Sequence, residues 1–311
     1  MRSARNHAGP FGHLPGSYHQ FCPVLLPRFL LLSAALLPAL LTTAQQLSGR
    51  VTVAGTQQPV PFATVGVQGQ PLGSTADETG RFAFATPATL LPTDSVIISC
   101  IGYRARRLTV AQVQAETTWP LTPVAQALAE VPVRHGRLTP AVLGRRETGG
   151  VAHWTTKLRD TTPVATDERG WEIATVLPVR HSCYLDAFHL YLEQNGFGPV
   201  RLRFTLYAVE NGLPTRQLLT RDIQFTVPPQ QTGWATLDLS SYNIHLPKGQ
   251  TVAAGIQWLQ GQKLPSATEA LGGPGAYPSL GHRVALRDKS EAPWRLLPVN
   301  VSMYLAVQQY Q

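Results

Sequence analysis

Residues 74–84 read STADETGRFAF. The acidic DETG at the centre admits two readings, a cation loop or a turn between two strands, and the choice decides the fold of the first half of the chain. A calcium loop needs several spaced oxygen ligands, ending in a bidentate Glu in the twelve-residue form, whereas here two acids give way at once to alternating apolar residues. As a turn the stretch is consistent throughout. Asp77 opens it, Gly80 supplies the positive φ that closes it, and RFAF resumes a period of two with Phe82 and Phe84 directed inward.

Working outward, LSGRVTV places Leu47, Gly49, Val51 and Val53 on one face, AGTQQPV turns the chain, and PFATVGVQG places Ala63, Val65 and Val67 on one face. Downstream, DSVIISCIGYRARRLTV is apolar on both faces between Val96 and Ile101, the mark of a central strand, and Gly102 permits a bend after it.

In order and spacing, these three blocks resemble the carboxypeptidase-regulatory-like domain, from Leu47 to Val133. The resemblance implies a transthyretin-like seven-stranded β-sandwich that acts as an extracytoplasmic accessory module, with no catalytic residues to carry over. Similar copies stand beside metallocarboxypeptidase catalytic domains and precede the plug of TonB-dependent receptors in Gram-negative bacteria, so an envelope setting is implied as well.

The first 44 residues are set apart as a signal peptide. Arg2, Arg5 and Arg28 are basic, no acid occurs, and FLLLSAALLPALL from Phe29 to Leu41 is an apolar run followed by TTA ending at Ala44. Thirteen apolar residues fall short of the roughly 20 that span a bilayer, so no transmembrane anchor is expected after cleavage. The length of the leader before Arg28 leaves open a start codon downstream of Met1. Removing its three arginines takes the chain from +8 to +5, a mild excess with no interleaved aromatics, and nucleic acid is not expected as a partner. Cys100 and Cys183 remain, both in apolar strand-like runs where a lone cysteine is usually a small buried hydrophobe. Whether they pair stays open in an oxidising compartment.

At 311 residues, with 14% charged side chains and 26 each of Pro and Gly, the chain reads as about two globular domains of short strands and tight turns. The expected division is a leader over 1–44, the regulatory-like sandwich over 45–121, a linker over 122–150, and a jelly-roll-like sandwich over 151–311. The linker shows no sustained alternation after Val133. Arg134, Arg137, Arg145 and Arg146 make it basic, a solvated connector that is also suited to touching anionic headgroups.

Beyond Gly150 alternation returns. VRLRFTLYAV sends Leu202, Phe204, Leu206 and Ala208 one way and Arg201, Arg203, Thr205 and Tyr207 the other; DIQFTV and VNVSMYLAV repeat the pattern. Eight or nine candidate strands with one apolar face suggest an antiparallel sandwich. A transmembrane barrel fits less well, because strand lengths are uneven and prolines crowd FTVPPQQ and GGPGAYPSLG. The blocks FTLYAVENGLPTRQLL and TGWATLDLSSYNIHLPKGQTVAAGIQWL are also similar to β-sandwich segments that follow the regulatory-like domain in secreted bacterial proteins, which implies fold and context and no ligand.

Chemistry is sought and not found. His135, His153, His181, His189, His245 and His282 lack Glu at the third following position, and H-E-x-x-H, G-x-S-x-G, P-loop and dinucleotide fingerprints are absent from the sequence. RHSCYLD gathers His181, Ser182, Cys183 and Asp186, but neighbours on a strand point to opposite faces. No catalytic, metal or cofactor site is expected. Parity makes Trp258 a core residue with Val252, Ala254 and Ile256, and puts His189 with Tyr191 on the face opposite Phe188, Leu190 and Leu192. Trp234 shares a face with Thr236 and Asp238, opposite Ala235, Leu237 and Leu239, and is the one candidate ligand-binding residue. It is read either as a rim aromatic covering a sheet edge or as a stacking platform for a sugar ring. The sequence thus leads to an all-β, non-enzymatic accessory or scaffolding protein of the bacterial envelope, in the periplasm or on the outer-membrane surface. Its expected partner is another envelope protein or, as the alternative, a polysaccharide.

Overall fold

The computed structural model describes residues 45–124, 136–157, 169–264 and 270–311. The expected leader over 1–44 lies outside these residues.

The N-terminal module is built from β1 (Gln45–Val53), β2 (Thr64–Val67), β3 (Gly73–Thr75), β4 (Arg81–Thr86), β5 (Ser95–Ser99), β6 (Arg106–Thr109), a short helix α1 (Val110–Ala115) and β7 (Thr118–Leu121). Its strands form a three-stranded sheet, β4-β1-β7, and a four-stranded one, β3-β2-β5-β6. That is the seven-stranded sandwich expected here. Leu47, Val51, Ala63, Val65, Val67, Phe82, Val96, Ile98 and Trp119 fill the space between the layers, so period-two alternation correctly named the core face. The run RRLTV leaves its strand at Thr109, where the hydroxyl accepts from the Gln112 amide and the Gln112 side chain accepts from the Thr109 amide. This reciprocal cap starts α1.

The DETG stretch joins β3 to β4 as a turn. Asp77 Oδ1 accepts from the Thr79 amide at 2.8 Å, the Thr79 hydroxyl at 2.7 Å and the Arg81 amide at 2.9 Å. Burial works to raise the Asp77 carboxyl, but the Thr79 hydroxyl bond and the Arg81 and Thr79 amides outweigh it and hold the group below its usual range. Gly80 sits at φ +77°, and a β-carbon there would collide with the Val51 carbonyl oxygen.

The rest of the chain supplies β8 (Leu138–Gly144), β9 (Ala152–Lys157), β10 (Glu172–Pro178), β11 (Cys183–Leu192), β12 (Gln194–Asn195), β13 (Phe197–Glu210), β14 (Leu213–Gln217) and β15 (Gln224–Val227). There follow β16 (Gly233–Asp238), β17 (His245–Leu246), β18 (Thr251–Lys263), β19 (Ala270–Ala276), β20 (Arg283–Arg287), β21 (Arg295–Leu297), β22 (Asn300–Val301) and β23 (Met303–Tyr310). One layer is the seven-stranded sheet β14-β13-β18-β10-β20-β21 with β15 beside β13. The other comprises a five-stranded sheet, β16-β11-β23-β8 with β17 beside β11, and a four-stranded sheet, β12-β19-β22 with β9 beside β19. The chain itself joins these two smaller sheets end to end, running from β11 into β12 and from β22 into β23, where Ser302 accepts from the Tyr191 amide of one sheet and donates its own amide to the Pro274 carbonyl of the other. Leu202, Phe204, Leu206, Ile256 and Trp258 from the first layer meet Phe188, Leu190, Leu305 and Val307 from the second, and the Phe188 and Phe204 rings stand 5.0 Å apart.

Two expectations are corrected. The described residues of the C-terminal module carry sixteen strands rather than eight or nine, because long runs such as 183–210 change sheets at short breaks that leave no sequence signal. Residues 138–144, placed in the 122–150 linker, form β8 and pair antiparallel with β23 from Leu138↔Tyr310 to Gly144↔Tyr304. Of the basic residues assigned to a solvated connector, Arg145 is buried, donating to the Glu147 and Gly149 carbonyls and to Ser302 Oγ. Arg134 lies outside the described residues.

Candidate functional site

Strand parity builds an aromatic face on the outside of the five-stranded sheet. Because Phe188, Leu190, Leu305 and Ala235 point into the core, their neighbours His189, Tyr191, Tyr304 and Trp234 point away from it. Register then brings these four together: Tyr191 lies opposite Trp234, and His189 opposite both Thr236 and Tyr304. Trp234 meets Tyr191 edge to face at 5.2 Å and Tyr304 at 5.0 Å, while His189 lies flat on Tyr304 at 4.3 Å. The Arg146 guanidinium stands 5.8 Å from the Tyr304 ring centre. All four rings are partly exposed. Trp234 is thus on an edge strand, as the rim reading has it, and is also the hub of a cluster. His189 Nδ1 lies 2.9 Å from Thr236 Oγ1. Burial, and then the Arg146 charge, hold the imidazole below its usual pKa.

A second polar assembly lies between the two sandwiches. Arg203, Gln257, Glu172 and Arg287 stand in one cross-strand row over β13, β18, β10 and β20. Arg203 clamps Asp222 through Nε and Nη2, donates to Gln257 Oε1 at 2.5 Å, and reaches the Phe62 carbonyl of the N-terminal module at 2.9 Å. Gln257 passes the row on to Glu172 at 2.9 Å and to Ser290, and Glu172 accepts from Arg287 and from the Tyr207 hydroxyl, both at 2.8 Å. Burial and the Glu172 charge push the Tyr207 hydroxyl far above its ordinary pKa, which keeps it a donor. The Arg287 guanidinium is further covered by Trp294 at 4.3 Å. Gly66 and Gly69 complete the contact: a β-carbon on Gly66 would strike the Glu291 side chain, and the Gly69 amide donates to the Glu291 carbonyl. A cavity of about 380 Å³ remains between the modules, lined by this row and by Ser99, Cys100 and Tyr103 from the other side.

Asp222, beside the row, and Glu172, within it, match the two arginines, so the assembly works as a polar seam that locks the modules in register. The described residues of the two modules accordingly form one compact unit. Sequence reasoning saw the polar parity of Arg201, Arg203, Thr205 and Tyr207 and missed that Arg203, Thr205 and Tyr207 are buried. Alternation reports which residues share a face and carries no information on what covers it.

The RHSCYLD residues are not brought together. His181 is exposed, Ser182 Oγ accepts from the Lys248 amide, Cys183 is in the core and Asp186 accepts from Gln308 at 2.6 Å. Both cysteines are free thiols, and burial pushes each up to about 11. Among the described residues no group of three or more His, Cys, Asp or Glu side chains is placed to hold a metal ion. No helix among them is long and apolar enough to cross a membrane.

Fold and surface together define an all-β protein of two fused sandwiches with an aromatic outer face. Residues 47–133 match the family model of the CarboxypepD_reg-like domain, which covers the N-terminal sandwich and is not a catalytic family. No curated protein matches the chain.

Proposed function

We propose that this protein is an exported, non-enzymatic binding protein of the bacterial envelope, a scaffold that docks another envelope protein on the aromatic face of its C-terminal sandwich. The observation that carries the reading is the Trp234, Tyr191, Tyr304 and His189 cluster with Arg146 beside it. Trp, Tyr and Arg dominate binding hot spots because they offer large, rigid, amphipathic contact area at little loss of rotamer freedom. Export is supported by the basic and then apolar pattern of the first 44 residues, and an accessory role by the non-catalytic family of the N-terminal sandwich.

Polysaccharide is the second reading, since exposed rings also stack on sugars. It is disfavoured because these rings already cover one another: Trp234 packs at 70° and 77° against the two tyrosines, and His189 is parallel to Tyr304 within 14°. A photo-crosslinking residue in place of Tyr191, in the native envelope, is expected to give one discrete protein adduct that Trp234→Ala abolishes. Trp234-dependent retardation in a polysaccharide gel without an adduct would replace this reading with the glycan one. Recovery of the protein in the cytoplasm with its first 44 residues intact would overturn export.

A further inference from the structure

A groove of about 870 Å³ opens between the two layers of the C-terminal sandwich, where residues of β10, β20 and β21 in one layer and of β9 and β22 in the other line the same volume. Ile173, Val284 and Val301 belong to the same core as Leu202 and Phe204, yet here they border open space instead of an interdigitating partner. Trp154 on β9 and Trp171, just before β10, both line the groove. The two indoles stack on one another at 5.9 Å with their planes within 20°.

The apolar lining runs from floor to lip. Ile173, Val284, Val301 and Trp154 are buried, Leu286, Val299 and Trp171 are half-buried, and Leu297 at the lip is 42% exposed. An apolar and aromatic interior with a few polar groups at the entrance is the usual composition of a small-molecule pocket, and the volume lies within the usual range of about 300–1,000 Å³. Leaving such a surface to water is unfavourable in proportion to its area. The charged groups at the mouth are already engaged. Arg295 meets Asp288 at 2.8 Å, His153 meets Glu193 at 2.7 Å, and Lys289 donates to the Arg169 carbonyl at 2.9 Å. Two cations, Lys289 and Arg295, thus stand against two carboxylates, Asp288 and Glu193, and no net charge is left to select an ion. A charged ligand would either break one of these pairs or give up its hydration over an apolar floor with no counter-charge in return.

We propose that this groove binds a small uncharged molecule with an aromatic, apolar body, seated on Ile173, Val284 and Val301 and in contact with the indole rings of Trp154 and Trp171. Its class follows from the match between an apolar floor, aromatic walls and a mouth whose charges cancel. The inference is independent of the aromatic face, which belongs to the five-stranded sheet. The two sets of side chains share no residue.

Two fluorescent probes of the same ring system test it on the folded full chain: N-phenylnaphthylamine, which is uncharged, and anilinonaphthalene sulfonate, which adds one negative charge. The amine is expected to fill one saturable site per chain, and the sulfonate to bind at least tenfold more weakly. Val299→Trp, which fills the groove, should weaken the amine at least tenfold, Leu297→Asp several-fold, and Trp234→Ala not at all. Asp288→Asn, which frees Arg295, should tighten the sulfonate several-fold and leave the amine unchanged. Should Val299→Trp fail to fold by its thermal melt, the change at the exposed Leu297 carries the test. Absence of saturable amine binding, or binding that no groove variant alters, overturns the proposal. Sulfonate binding as tight as that of the amine, or no gain in Asp288→Asn, overturns the charge match on which the choice of ligand rests. Loss on Trp234→Ala with the groove variants unchanged moves the probe to the aromatic face and overturns the proposal equally.

Discussion

Arg203 Nη2, on the outer face of β13, donates at 2.9 Å to the main-chain carbonyl of Phe62 in the other sandwich. Phe62 itself has φ +54°, a left-handed conformation that a bulky residue rarely holds, and the Arg201 guanidinium lies 5.1 Å from its ring centre. One arginine thus ties a strained connection in the N-terminal module to a carboxylate and an amide of the C-terminal one.

Replacing Arg203 with Leu leaves Asp222 and Gln257 without their buried partner, and the loss should be about 3–5 kcal/mol. Urea unfolding measures it. Arg203→Lys keeps the charge but not the fork, so it should recover only part of the difference. Amide exchange of residues 62–66 should accelerate in both variants, and unchanged exchange would mean that the seam does not couple the modules.

Gly80→Val introduces a β-branched residue at φ +77° against the Val51 carbonyl oxygen, and should lower stability by about 1–3 kcal/mol. Calcium should leave the melting temperature of the unaltered protein where it is, since the Asp77 carboxylate is occupied by its own turn. A calcium-dependent rise would contradict that assignment.

His189 is held below its ordinary pKa in the folded state. Between the unfolded value near 6.5 and the lower folded one, the unfolded chain binds the extra proton, so stability is complete above about pH 6.5 and declines as pH falls through that window. Thermal melts from pH 7.5 to 5 should show the decline, and His189→Gln should flatten it. The slope should be shallow, because the ring is partly exposed and screened.

Cys100 and Cys183 should react negligibly with an aromatic disulfide reagent at pH 8 in the native state, since thiols near 11 are ionised at only about one part in a thousand there. Both should react at once in denaturant. Native-state reaction at Cys183 would show that its burial is transient, and reaction at Cys100 that reagent enters the cavity between the modules.

Much of the architecture was legible in the chain because it depends on a period of two. Alternation in 47–53, 63–67 and 202–208 named the core faces of β1, β2 and β13, and the parity of His189, Tyr191, Trp234 and Trp258 named the sides that the folded chain uses. These are local properties, set by the pleat of each strand. β8 escaped because TPAVLG carries a proline and a terminal glycine and lies on a sheet edge, where its partly buried side chains alternate weakly.

What tertiary structure alone decided was register and cover. Residues 172, 203, 257 and 287 stand in one row only because β13, β18, β10 and β20 pair in one alignment, and nothing within any single strand records its neighbour's offset. Likewise, the polar face of β13 is buried because a second sandwich lies on it, whereas the aromatic face of β11 stays partly open. The sequence determined which side chains share a face, since that follows from backbone geometry within a few residues. Which faces meet, which are covered and which remain as sites followed from contacts between residues far apart in the chain, and those exist only once it has folded.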